Sequence, residues 1–308
     1  MRGAVARPQA RSLSIRPGGF TYRKRILPWL FFLPILVINV GVVITPSLSA
    51  FYYAFTEWSG VGSATFTGLT NFRRLVADAT VWQAFRNNLL WLTFFLTIPF
   101  ALALLTATLL APLRRGGLLF RAALFIPYVL PSVVTAGIWR NLMSPTQGIG
   151  AHLASIGIVG FEHAWLGRTD SALLAVAFVD NWHFWGFLMV LFLTAMQSVP
   201  TDLYEAARLD GANAWQQFRH VTLPGIRPTI AFMILMTAIW SFLVFDYVWI
   251  LTQGGPAGAS EVLGTLVYKH AFNRFDAGYA SAIGLTMSFF AGIIIAIFIT
   301  LRRRGWEI

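Results

Sequence analysis

Residues 205–211 read Glu205-Ala206-Ala207-Arg208-Leu209-Asp210-Gly211, and after nine further residues the chain reads Val221-Thr222-Leu223-Pro224. This polar segment lies between two long apolar runs. Its pattern predicts a short helix, a glycine stop, and a second short helix that ends at a proline. Such a loop is too long and too ordered to be a simple connector, and it is expected to dock on another protein. Ala206 and Ala207 are small, so a partner surface can approach closely. Glu205 is expected near its helix N-terminus, where a carboxylate offsets the dipole and can pair with an Arg of the partner. Gly211 permits a left-handed backbone that a side chain resists. Pro224 and Pro228 set the re-entry into the following apolar run.

The flanking composition makes this a membrane protein. The 308 residues are 57% hydrophobic and 11% charged, with a net charge of +11. A soluble domain carries about twice that charged fraction. The basic residues cluster at the ends of apolar runs, which favours a membrane over a nucleic acid as their partner. Cys is absent, so structural disulfides and thiolate metal sites are excluded. The N-terminal Arg2, Arg7, Arg11, Arg16, Arg23, Lys24 and Arg25 precede an apolar run too long for a cleaved signal peptide, so an uncleaved first helix is expected.

A bilayer span needs about 20 apolar residues. Six candidates meet this, at roughly 27–54, 89–113, 119–142, 172–196, 229–251 and 279–301. The expected fold is all-α and polytopic. Lys and Arg concentrate in the N-terminal tail, at Arg114, Arg115 and Arg121, at Arg208, Arg219 and Arg227, and at Arg302, Arg303 and Arg304. With six spans all four segments share one side, so both termini and the 205–224 loop are expected in the cytoplasm. The layout is a basic tail (1–26), a membrane domain (27–304) holding an outer amphipathic loop (58–86) and the docking loop (199–228), and a short C-terminal tail (305–308). In the outer loop, Phe72, Leu75, Val76 and Trp82 suggest an interfacial helix with Arg73, Arg74 and Asp78 on its polar face.

The docking-loop pattern resembles the EAA signature of binding-protein-dependent ABC importer permeases, element by element. Further segments are similar to the same family: Gly68-Leu69-Thr70-Asn71-Phe72, Ile126-Pro127-Tyr128 with Pro131-Ser132, Leu251-Thr252-Gln253-Gly254-Gly255-Pro256, and the approach to the last helix from Tyr268 to Ala280. Gln253 departs from the pattern, since many relatives carry Gly there, which puts the local turn in doubt. The secondary motifs resemble the carbohydrate-uptake branch of maltose and glycerol-phosphate permeases. The resemblance implies a type I ABC importer permease fold in the inner membrane, with no catalytic residues and no cofactor of its own. ATP and Mg would be handled by two partner ATP-binding subunits. A second homologous permease, as a heterodimer, and an extracytoplasmic solute-binding protein complete the implied assembly. Glu205, Ala206, Ala207, Asp210, Gly211, Leu223 and Pro224 are the implied coupling residues.

The same resemblance places substrate contacts at Tyr128, Ser132, Asp180, His183, Phe184, Phe187, Thr237 and Ser241. Helical spacing gives an independent hint. Asp180, His183, Phe184 and Phe187 follow i, i+3, i+4, i+7 and share one face. Asp180 lies about nine residues from the outer end of its helix, roughly 13 Å deep. Tyr128 with Ser132, and Thr237 with Ser241, are i, i+4 pairs at similar depth. A carboxylate, an imidazole, hydroxyls and rings suit a sugar, whose hydroxyls take hydrogen bonds and whose apolar face rests on aromatics. Each residue also has a plainer role open to it. Ser and Thr in membrane helices often bond their own backbone, His183 could pair between helices, and Trp182 and Trp185 suit packing. Asp246 could line the pathway or pair with an outer Arg such as Arg140.

No P-loop, H-E-x-x-H or G-x-S-x-G motif occurs, and His152, His163, His183, His220 and His270 lack metal-ligand spacing. The expected function is the transmembrane subunit of an ATP-driven importer of a sugar-like solute. Two other classes stay open. One is an ion-coupled secondary transporter or channel without an ATPase, although the pseudo-repeat of many such carriers is missing. The other is a membrane enzyme on lipid-linked sugars with Asp180 and Asp246 as acid and base.

Overall fold

The computed structural model describes residues 21–113 and 115–303. The expectations placed on residues 1–20, Arg114, Arg304 and the C-terminal tail lie outside the described residues. The chain divides into two units, 1–49 and 50–308. In the first, α1 (Thr21–Asn39) runs through a π turn (Val40–Ile44) toward α2 (Thr45–Tyr53). The π turn comes just before Pro46, whose ring cannot fit against an ordinary helical turn. Thr45 Oγ1 donates to the Val40 carbonyl at 2.8 Å and Ser47 Oγ to Val43 at 2.7 Å, so these hydroxyls are satisfied within the helix.

The second unit opens with a two-stranded antiparallel hairpin, β1 (Thr56–Glu57) and β2 (Thr65–Phe66), a small departure from all-α. The interfacial helix is present as α3 (Thr70–Ala77). Leu75 is buried as expected, but Val76 is exposed, and Trp82 belongs to the next helix. Asn71 is buried instead, donating to the Ala54 and Thr56 carbonyls at 3.1 and 2.8 Å.

The second span starts ten residues earlier than the 89 expected, as α4 (Ala79–Leu110). Asp78 caps it by accepting from Thr80 N at 2.9 Å. The polar residues that hide this start from a hydropathy reading bond to distant carbonyls, Asn87 and Asn88 buried and Gln83 at the surface. Gln83 Nε2 donates to Gly258 O at 2.9 Å, and Asn87 Nδ2 to Ala259 O and Glu261 O at 3.0 and 2.8 Å. Asn88 Nδ2 donates to Ser241 O at 2.8 Å while its Oδ1 accepts from Leu263 N at 2.9 Å.

The third span is not one helix. It is α5 (Gly117–Val129) and α6 (Ser132–Leu142), bent by 97°. Pro131 disfavours helical geometry in the residue before it, and Leu130 is extended at ψ 136°. Among the described residues five helices are long and apolar enough to cross a membrane, or six if this bent pair is one span. The connection after α6 carries α7 (Ile149–Ser155), and α8 (Ala172–Gln197) follows close to its expected bounds. The docking loop holds α9 (Thr201–Leu209), α10 (Ala214–Gln217), a π turn (Phe218–Thr222) and α11 (Leu223–Gly225). The fifth span is α12 (Arg227–Leu243) and α13 (Asp246–Leu251), with extended backbone at Val244 between them. Then come α14 (Leu263–Tyr268), a π turn (Lys269–Asn273) and α15 (Ala277–Arg303).

In this second unit α8 is the central element, packed along α4 and α5. A Cβ on Gly186 would overlap the Leu124 carbonyl oxygen, so only glycine admits this approach. Phe100 meets Phe192 edge-on at 5.1 Å in the core. α3 and the starts of α4 and α15 are tied by polar groups. Arg74 pairs with Asp276 at 2.7 Å and lies 4.0 Å over the Tyr279 ring, and Tyr279 donates to Asp78 at 2.9 Å. His270 is buried beneath, accepting at Nε2 from Arg274 at 3.1 Å.

Candidate functional site

The two broken spans border one cavity. It measures about 430 Å³ and lies among α4, α5, α6, α8, α12 and α13. Tyr128 reaches it from just before the Leu130–Pro131 bend, and Ser132 from just after. The two were expected on one helix four residues apart. The proline bend puts them on different helices, yet both face the same space. Leu243, Val244, Phe245, Asp246 and Tyr247 all line it at the second break. Non-helical backbone at membrane depth is tolerated where it borders a cavity or is buried in protein. Here it is both, because Gly264 lies so close that a Cβ there would come within 2.7 Å of Val244 O.

Asp180, His183 and Phe184 project into the cavity from α8, and Thr237 and Ser241 from α12. Phe187 does not line it. Its ring stacks on Tyr128 at 4.5 Å and 12° and so backs the wall. The His183 ring lies 5.2 Å from Tyr128 and 5.6 Å from Tyr247. Trp182 is edge-on to Trp139 at 5.6 Å, a packing role. The two hydroxyls of α12 differ. Ser241 Oγ donates to Thr237 O at 2.8 Å, whereas Thr237 Oγ1 is buried without a hydrogen-bond partner. Arg140 is not the partner of Asp246, since its Nη2 donates to the Ile250 carbonyl and Asp246 lines the cavity.

The sequence reading missed Trp91, Phe95 and Trp240, which complete the aromatic wall. Trp91 and Phe95 stack at 5.5 Å and 8°, and Trp240 meets Phe184 at 5.3 Å. Trp91 and Phe95 are four apart, and Thr237, Trp240, Ser241 and Val244 follow i, i+3, i+4, i+7. That spacing was available, but it is shared by every packed apolar face.

The docking loop lies at the far end of α8. In α9 the first-turn acid is Asp202, and Glu205 sits exposed in mid-helix rather than at the N-terminus. Ala206, Ala207 and Asp210 follow it, and Ala207 is half-buried. Gly211 ends the helix at φ +81°. Its N–H donates to Arg208 O at 3.0 Å and that of Ala212 to Ala207 O at 2.9 Å, the paired bonds of a Schellman stop. Asn213 and Gln216 then form a reciprocal capping box. The second helical segment does not end at Pro224. It passes through Leu223 and Pro224 to Gly225, because the wider π turn before it accommodates the proline ring. Tyr204 and Thr222 hydroxyls meet at 3.0 Å and tie the two segments together. Gly225 lies against Val199, where a Cβ would come within 2.7 Å of a methyl. In the turn after α13, Gln253 adopts φ +52°, the left-handed conformation that glycine takes without strain.

Residues 98–304 match the family described as binding-protein-dependent transport system inner membrane component. The chain is 37% identical over 265 residues to the probable ABC transporter permease protein YurN of Bacillus subtilis (strain 168), covering 85% of this chain and 90% of that protein. It is 32% identical to the diacetylchitobiose uptake system permease protein NgcF of Streptomyces coelicolor, over 91% and 86% of the two chains. It is 31% identical to the multiple sugar-binding transport system permease protein MsmF of Streptococcus mutans serotype c, over 90% and 95%. Its fold matches a bacterial ABC transporter involved in the import of the acidic polysaccharide alginate, with a TM-score of 0.83 at 23% identity, over 93% and 99% of the chains. These relatives are transport permeases, and the long apolar helices make this a multi-pass inner-membrane protein. The chain therefore belongs to the family of binding-protein-dependent ABC transporter inner membrane components.

Proposed function

We propose that this chain is one transmembrane subunit of an ATP-driven importer of a saccharide. It pairs with a second, homologous permease, receives solute from an extracytoplasmic binding protein, and rests on two ATP-binding subunits that hold ATP and Mg. The observation that carries this reading is the cavity at the two helix breaks, with rings, hydroxyls and carboxylates on its walls. Rings match the apolar faces of a sugar, and the polar groups match its hydroxyls. The sugar substrates in the names of NgcF and MsmF support the same class. ATP hydrolysis belongs to the partner subunits, and both termini lie in the cytoplasm with the docking loop, where Arg208, Arg219, Arg302 and Arg303 favour that side.

Coupling is mechanical. The cavity residue Phe184 and the end of α8 at Gln197 are thirteen residues apart, roughly 20 Å of rigid helix. Motion of α9 with the ATP-binding subunits is passed up this helix. Closing them opens the cavity outward. Glu205, Ala206 and Ala207 face the partner, while Gly211, Leu223 and Pro224 hold the loop's shape, with Asp210 at the stop.

The test is reconstitution of the complex with its binding protein in proteoliposomes. Glu205→Lys combined with Gly211→Trp is expected to abolish ATP-driven uptake while the complex still binds sugar. Uptake that survives this double substitution overturns the coupling role. Uptake by this subunit alone, without ATP, would favour a secondary carrier or channel instead.

A further inference from the structure

Two carboxylates, Asp180 and Asp246, line the cavity, and among the described residues no Lys or Arg does. Neither carboxylate takes part in an ion pair among the described residues. The guanidinium of Arg140 is engaged with the Ile250 carbonyl. Two unpaired carboxylates within membrane-spanning segments are costly, and such groups persist where a pathway or ligand needs them. A second observation points to a ligand in the same place. Thr237 Oγ1 is 2% exposed in residue terms, lines the cavity, and has no hydrogen-bond partner. Around these groups stand the rings of Trp91, Phe95, Tyr128, Phe184 and Trp240. Aromatic faces attract cations as well as apolar sugar faces.

We infer that this cavity recognises a saccharide bearing a protonated amino group, and turns away uronic acids and sugar phosphates. The inference rests on the saccharide reading above and names its charge class. An ammonium placed between Asp180 and Asp246 supplies the countercharge that the walls lack. Its N–H groups donate to the two carboxylates, and a sugar hydroxyl meets Thr237. An added anion would instead meet two carboxylates of its own sign, which repel it.

The experiment uses the complex with its partner subunits in nanodiscs, without the binding protein, so that the binding protein's own selectivity is not read. Calorimetry compares a glucosamine disaccharide, its fully N-acetylated form, and a galacturonic acid disaccharide. The amine form is expected to bind about tenfold tighter than the acetylated one, and the uronate not measurably. Asp180→Asn with Asp246→Asn is expected to bring the amine and acetylated sugars to the same affinity, and binding of the acetylated sugar that stays measurable shows that the cavity is intact. Equal binding of the two neutral-backbone sugars overturns the inference, as does tighter binding of the uronate or a preference that survives both substitutions. ATP-driven uptake with the binding protein restored separates the two readings. Uptake of the acetylated sugar without any amine preference overturns only the charge class. Uptake of no saccharide at all overturns the importer reading as well.

Discussion

Two polar regions lie within the membrane-spanning helices, and they treat their polar groups in opposite ways. In the N-terminal half of α4, Gln83, Asn87 and Asn88 give every amide nitrogen to a loop or helix carbonyl. At the cavity, Asp180 and Asp246 have no ion-pair partner among the described residues, and Thr237 Oγ1 has no hydrogen bond. The first arrangement is a latch. It fastens α4 to α12 and to the 252–262 turn, and it gains from every bond it makes. The second leaves its groups open to whatever enters. At the latch the paired groups build structure, while at the cavity Thr237 Oγ1 faces the space where a ligand would sit.

The sharpest way to break this comparison is at Asn88, which is wholly buried and holds Ser241 O and Leu263 N at once. Asn88→Leu strands both backbone groups, at about 1–3 kcal/mol each. Thermal unfolding in detergent should show a large loss of stability, and the yield of folded protein should fall. If it unfolds like wild type, the latch is not structural. Thr237→Val should do the reverse. It removes a hydroxyl that bonds nothing, so stability should hold or rise by up to about 1 kcal/mol. Sugar uptake should weaken through a higher KM. A stability loss comparable to that of Asn88→Leu would erase the distinction between latch and cavity.

The smallest expected effect concerns the buried His270 beneath the Arg74–Asp276 pair. Burial holds its imidazole below the ordinary range, and Arg274 adds to this while the Asp276 carboxylate opposes it. Its folded pKa is therefore lower than its unfolded one, near 6.5. The stability it contributes is complete above about pH 6.5 and declines as the pH falls toward the folded pKa. Unfolding midpoints should drop by a few degrees between pH 7 and pH 5, and less so in His270→Gln. Equal acid sensitivity in both proteins would assign the effect to other groups.

How much of this was legible differs between the same two regions. Asp180, His183 and Phe184 were found because polar residues on a helical stripe stand out against an apolar background. Trp91, Phe95 and Trp240 were not, because an aromatic residue facing a cavity has the same spacing as one facing a core. Hydropathy begins the second span at 89, ten residues after α4 starts, and so leaves Gln83 in the expected loop and Asn87 and Asn88 outside any span. Hydropathy counts an asparagine as exposed, whereas Asn87 and Asn88 point their amides at carbonyls more than 150 residues away in sequence.

The sequence by itself determined that the chain crosses a membrane several times, and that a patterned loop interrupts the last spans. Both follow from local chemistry: runs of apolar residues long enough for a bilayer, a glycine that can turn left-handed at Gly211, and short capped helices around it. Only the tertiary structure decided that Tyr128 and Ser132 flank a 97° bend rather than share a helix, and that a second break at Val244 opens on the same space. Pro131 announces that a helix can break there. Where the broken ends point, and whether the carboxylates near them find partners, depends on which distant side chains and backbone groups are brought alongside. That is settled by packing across α4, α8 and α12, which no local pattern encodes.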